Sequence, residues 1–258
     1  MSTAASESRP FSASAAMVWP VLFLVAAAGG CWAVTVERMQ GMDMGSRSDL
    51  GGLGWFATVW VTMMAAMMLP SLSPMAVASS RAGGGEQVRS VARTVLFSAG
   101  YLLPWVAFGV LGYALVEGVR SLHQDFLVWN RAGQYLAGGV VLGAALYELT
   151  AAKGRCLRHC RDVQLLRPKP GATGALMTGI EQGGFCVGCS GAMMAALFAL
   201  GVMSIAWMLL IAVLIAIEKL LPWTVMTIGA TAAALALLGV AVMVVPDHVP
   251  WLMVPMSM

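Results

Sequence analysis

Residues 220–245 read LLPWTVMTIGATAAALALLGVAVMVV, a run without a single charge. At a helical rise of about 1.5 Å per residue, roughly 20 such residues cross the hydrocarbon core of a bilayer, so this run is long enough to span. Val18–Val36 is a second uncharged run of spanning length. The whole 258-residue chain follows suit: 59% of it is hydrophobic, only 10% is charged, and the mean hydropathy is +0.81. Soluble domains carry about 25% charged residues, so a soluble globular class is excluded. The apolar runs are continuous and do not alternate, which excludes a membrane β-barrel and leaves helices. The expected fold is all-α, a polytopic transmembrane bundle.

Apolar runs set against breakers predict six to seven spans, at about 17–36, 55–79, 94–116, 132–152, 186–204, 205–220 and 223–245. The stretch 172–185 is apolar but interrupted by glycine, and is expected as a half-helix or re-entrant piece leading into the fifth span. Residues 1–16 read as a disordered lead-in, 17–246 as one helical domain and 247–258 as a short tail. Ala28-Gly29-Gly30-Cys31 only weakly resembles a lipoprotein cleavage site, and the apolar run continues past it. Gly139 and Gly143, four apart, predict a close helix contact in the fourth span.

Loop charges predict direction. Segment 153–169 holds Lys153, Arg155, Arg158, Arg161, Arg167 and Lys169 against Asp162 alone, and 80–93 holds Arg81, Arg89 and Arg93 against Glu86. Short basic loops stay in the cytoplasm, whereas 37–54 and 117–131 are charge-balanced. The N-terminus is therefore expected in the cytoplasm and the C-terminus outside.

Four cysteines form the first chemical constellation. Cys156 and Cys160 lie one helical turn apart with His159 between them, and Cys186 and Cys189 form a C-x-x-C in a glycine-rich setting from Gly183 to Gly191. Both pairs fall near the cytoplasmic face, where disulfides are disfavoured, so the spacing suits a soft metal ion. Arg155, Arg158 and Arg161 would favour thiolates, and the glycines are expected to thin the helix so that sulfurs converge. Small buried cysteines used only for packing are the competing reading.

Methionine is the second constellation: twenty in the chain, with Met39, Met42 and Met44 in a polar outer loop and Met63, Met64, Met67, Met68 and Met75 along the second span. Helical spacing puts 60, 63, 67, 70 and 74 in one stripe and 64, 68, 71 and 75 in the next. Thioethers suit Cu(I) and cost little to bury, although methionine is also a common filler of apolar cores. Glu148, Glu181 and Glu218, the last beside Lys219, are the intramembrane acids, each either a paired or relay group or a side chain reaching the interface. His123 and His248 read as solvated.

The spellings Trp60-Val-Thr-Met63-Met64-Ala-Ala-Met67-Met68-Leu-Pro70-Ser71 with Pro74, Leu149-Thr150 with Lys153, Cys156-Leu-Arg-His159-Cys160-Arg161, Cys186-Val-Gly188-Cys189 with Met193-Met194, Gly201-Val-Met203 and Glu218-Lys219 occur together. Over roughly residues 35 to 222 they resemble a bacterial family described as predicted metal-binding integral membrane proteins, a domain of unknown function. The chain departs from that pattern at Ser190, where a third cysteine is usual, and at Glu181 and Gln182, where a histidine often stands. The resemblance implies an inner-membrane helical protein with a metal role.

Taken together, these features predict binding of a soft transition metal, Cu(I) first and Zn(II) second, in metal transport, delivery or homeostasis. The alternative is a non-transporting subunit or assembly factor of a larger metalloprotein complex. Lipid and a metal ion are the expected partners, with a second copy of the chain or a complex subunit beside them and no nucleic acid. An enzyme is the least supported class, because no base and nucleophile are paired by the sequence and the C-x-x-C lacks a thioredoxin-like context.

Overall fold

The computed structural model describes residues 11–39, 52–81, 87–122, 133–201, 204–221 and 224–244. They form α1 (Phe11–Met39), α2 (Leu53–Arg81), α3 (Gln87–Leu122), α4 (Gln134–Glu148), α5 (Ala151–Arg161), α6 (Gly171–Gly201), α7 (Ile205–Leu220) and α8 (Thr224–Val244), with a 3-10 turn at Val163–Leu165. No strand occurs among the described residues. Helix α1 starts at Phe11, inside the expected lead-in. Residues 1–10, Met42 and Met44, His123, Met203, His248 and the tail lie outside the described residues.

Five helices are long and apolar enough to cross a membrane, and a sixth crossing results if α4 and α5, which meet at a 69° bend, are taken as one. Helix α7 has 16 residues. At about 24 Å it falls short of the roughly 30 Å hydrocarbon core. Side chains such as Val225, Leu237, Leu146 and Leu111 point outward, giving the bundle the apolar exterior that lipid requires. Pro20, Pro70, Pro74 and Pro104 sit inside α1, α2 and α3, as membrane helices tolerate.

Helix α6 is the centre, packed on α3, α4, α5 and α7. It is one continuous helix from Gly171 to Gly201, which corrects the expected half-helix and break at 172–185. The only described glycines with positive φ are Gly171 at 78° and Gly201 at 113°, which bound the helix. Glycines between them serve proximity. A Cβ at Gly179 would lie 2.1 Å from the Phe97 carbonyl oxygen, one at Gly183 2.3 Å from that of Tyr101, and one at Gly100 2.2 Å from that of Leu176. The α3 and α6 backbones therefore touch along a small-residue seam with four-residue spacing.

A second close approach joins α4 to α8, but through Gly138 and Gly239 and not through the expected Gly139 and Gly143. A Cβ at Gly138 would lie 2.8 Å from the Gly239 carbonyl oxygen, and one at Gly143 would meet nothing within 4 Å. The basic segment 153–169 is also more ordered than a loop. Thr150 caps α5 by accepting from the Lys153 amide at 3.3 Å, and Arg158 and Arg155 face outward. Arg93, expected in a solvated basic loop, is buried and donates to the carbonyls of Ser79, Lys169 and Gly171 at 3.0–3.2 Å, tying α2 and α3 to the start of α6.

Candidate metal centre

The α4–α5 bend lays α5 against α6. Leu157 is buried in that contact, and Cys156 and Cys160, four apart, share the face turned toward α6. On α6, Cys186 and Cys189 are both buried. The Cys189 thiol lies 3.5 Å from the Cys160 sulfur, and the sulfurs of Cys160, Cys186 and Cys189 all fall within 4.8 Å of one another. Of the four expected cysteines these three converge. Cys156 is not in the group: its sulfur is pressed on the α6 backbone, where a Cβ at Gly188 would lie 2.7 Å away.

Three other elements reach this cluster. From α2, the Met68 thioether lies 3.9 Å from the Cys186 sulfur. From α3, the buried Tyr101 hydroxyl donates to Cys186 at 2.8 Å. From α7, the Lys219 ammonium donates to Cys186 at 3.1 Å, to Ser71 Oγ at 3.4 Å and to the Met68 sulfur at 3.5 Å. A metal bound by thiolate at about 2.3 Å holds neighbouring sulfurs about 3.8–4.0 Å apart. The Cys186–Met68 separation of 3.9 Å falls within that range, and the Cys160–Cys189 separation of 3.5 Å is a few tenths of an ångström below it.

The remaining candidates are dispersed. Met63 and Met64 are buried in the apolar core and Met67 is packed against it, while Met39 is the last residue of α1. Trp60, on the same stripe, donates to the Trp105 carbonyl at 2.8 Å and lies over Gly109. His159 stacks on Phe185 at 4.3 Å with its Nδ1 3.0 Å from the Arg155 carbonyl oxygen, outside the three-thiol group. Glu181 pairs with Lys169, both on the exposed surface. Glu148 and Glu218, by contrast, are buried at 1% exposure and both contact Lys153, itself fully buried. That triad joins the ends of α4 and α7 to the first turn of α5. Tyr101 carried no signal in the sequence. Lys219 did, as a charge closing the otherwise apolar run of α7.

The described chain is all helical, with membrane-length helices and a largely buried cluster of thiols beside a thioether, a set of donors that suits soft metal ions. The chain belongs to the PpoB2 family of copper chaperones, which it matches over residues 57–242, from α2 into α8. No curated protein and no solved structure matches it.

Proposed function

We propose that this protein binds Cu(I) through Cys160, Cys186 and Cys189, with the Met68 thioether as a further ligand, and passes the ion on to an acceptor. The observation that carries this reading is the convergence of three thiols from two helices within 4.8 Å. Thiolate and thioether donors favour Cu(I), and zinc, which also accepts thiolates, is the second metal the donor set fits. Membership of a copper chaperone family supports copper over zinc and delivery over catalysis. The basic outer face of α5 supports placing the cluster at the cytoplasmic end of the bundle in an inner membrane.

The test is anaerobic Cu(I) reconstitution of the full chain in detergent, with metal analysis. One copper per wild-type chain and none in a Cys160→Ser/Cys186→Ser/Cys189→Ser variant is the expected result. Equal, near-zero copper in both would refute the reading.

A further inference from the structure

Lys219 makes the cluster unusual, because all three of its N–H donors are directed at atoms of the candidate site itself: Cys186 Sγ, Met68 Sδ and Ser71 Oγ. An ammonium group seated on two sulfurs and a hydroxyl is a cation in a soft cation site. The Cys186 and Met68 sulfurs are 3.9 Å apart. Any ion about 2.3 Å from both of them lies, on whichever side it sits, no more than about 4 Å from Nζ. The thiolates offset much of the mutual repulsion, but an ion on the near side of that edge would overlap the ammonium, and on either side it would take up sulfur lone pairs to which the ammonium now donates, so the two compete for the same atoms. Lys219 is half-buried in the last turn of α7, and a lysine stem at a helix end carries its ammonium readily to the interface.

We propose that Lys219 is a displaceable competitor of the cargo: copper bound on the Cys186–Met68 edge expels the ammonium, and the returning ammonium helps to drive copper off. The inference rests on the function proposed above and deepens it, because a chaperone must release what it binds. It also makes α7 the element that responds to loading. The described polar ties of α7 to the other helices lie at its C-terminal end: Glu218 to Lys153, Lys219 to the site, and the Leu221 carbonyl, which accepts from Arg161.

The experiment uses the full chain in detergent, with Cu(I) partitioned against a chromophoric Cu(I) chelator. Lys219→Met removes the charge at nearly constant volume, and is expected to bind Cu(I) about tenfold more tightly and release it more slowly, while Lys219→Arg stays near or below wild type. Unchanged or weaker binding by Lys219→Met would overturn the proposal. A second measurement on the wild-type chain needs no variant. Hydrogen exchange of amides 216–221 should accelerate on Cu(I) loading while that of 186–189 slows, and slowing of both segments would count against displacement. If the wild type binds no Cu(I), the proposed function fails. If it binds through the three cysteines but either of these results is negative, only the role of Lys219 fails.

Discussion

The Tyr101 hydroxyl, buried in α3, lies 2.8 Å from the sulfur of Cys186 and donates its hydrogen bond to it. A hydrogen bond to a charged acceptor contributes about 1.5–3 kcal/mol, so the phenol supports the thiolate form that a metal requires. Tyr101→Phe should weaken Cu(I) binding about tenfold, which corresponds to 1.4 kcal/mol, without changing the stoichiometry. Competition titration against a Cu(I) chelator measures this.

The two members of the first cysteine pair should behave differently. Cys160 lies in the three-thiol group and Cys156 lies against Gly188. Cys156→Ser should therefore retain one Cu(I) per chain, and Cys160→Ser should lose most of it. Metal analysis of the two single variants side by side decides the point, and loss of copper from both would restore a four-cysteine site.

Gly183 is where the α3–α6 contact meets the chemistry, since a Cβ there would lie 2.3 Å from the Tyr101 carbonyl oxygen. Backbone cannot swing aside as a side chain can. Gly183→Ala should cost on the order of 2 kcal/mol and weaken copper binding by shifting Tyr101. Gly184→Ala is the control, with nothing within 4 Å of the added atom. Thermal melting in detergent separates the two.

Removing the buried cation from between Glu148 and Glu218 leaves two carboxylates uncompensated. Lys153→Met should destabilise the fold by about 3–5 kcal/mol, whereas the combined Glu148→Gln/Lys153→Met/Glu218→Gln variant should recover most of that loss. Denaturation of both variants tests whether the triad holds the α4–α5 bend by charge pairing.

The basic face of α5 predicts the side on which the thiols react. In inverted vesicles a membrane-impermeant maleimide should label Cys160, and in intact spheroplasts it should not. Labelling in the opposite preparation would reverse the orientation drawn from the charge pattern.

Much of this architecture was legible from hydropathy. The run Val18–Val36 lies in α1 and most of the run 220–245 forms α8 (Thr224–Val244), because an apolar run of spanning length has little alternative in lipid. The charges of 153–169 say nothing of how α5 packs. Arg155 and Arg158 lie on the outward face of a helix whose other face carries Leu157 and Cys160, and Lys153 is buried, a distinction that charge counting ignores but the four-residue cysteine spacing contains. Glycines in α6 look like breakers in the sequence, and their actual role, contact with α3, depends on a partner that is distant in sequence. The same limit applies to the site. C-x-x-C is visible as a motif, but the meeting of Tyr101, Met68 and Lys219 at Cys186 joins three further helices, and no local pattern encodes it.

Cys186 and Cys189 are shut away, whereas Cys160 remains partly open. Ligand exchange would then have an order. An incoming donor meets the outermost sulfur first, and the ion moves inward by swapping one bond at a time. Departure would retrace the same steps, so a recipient would have to offer only a single sulfur at one place on the surface.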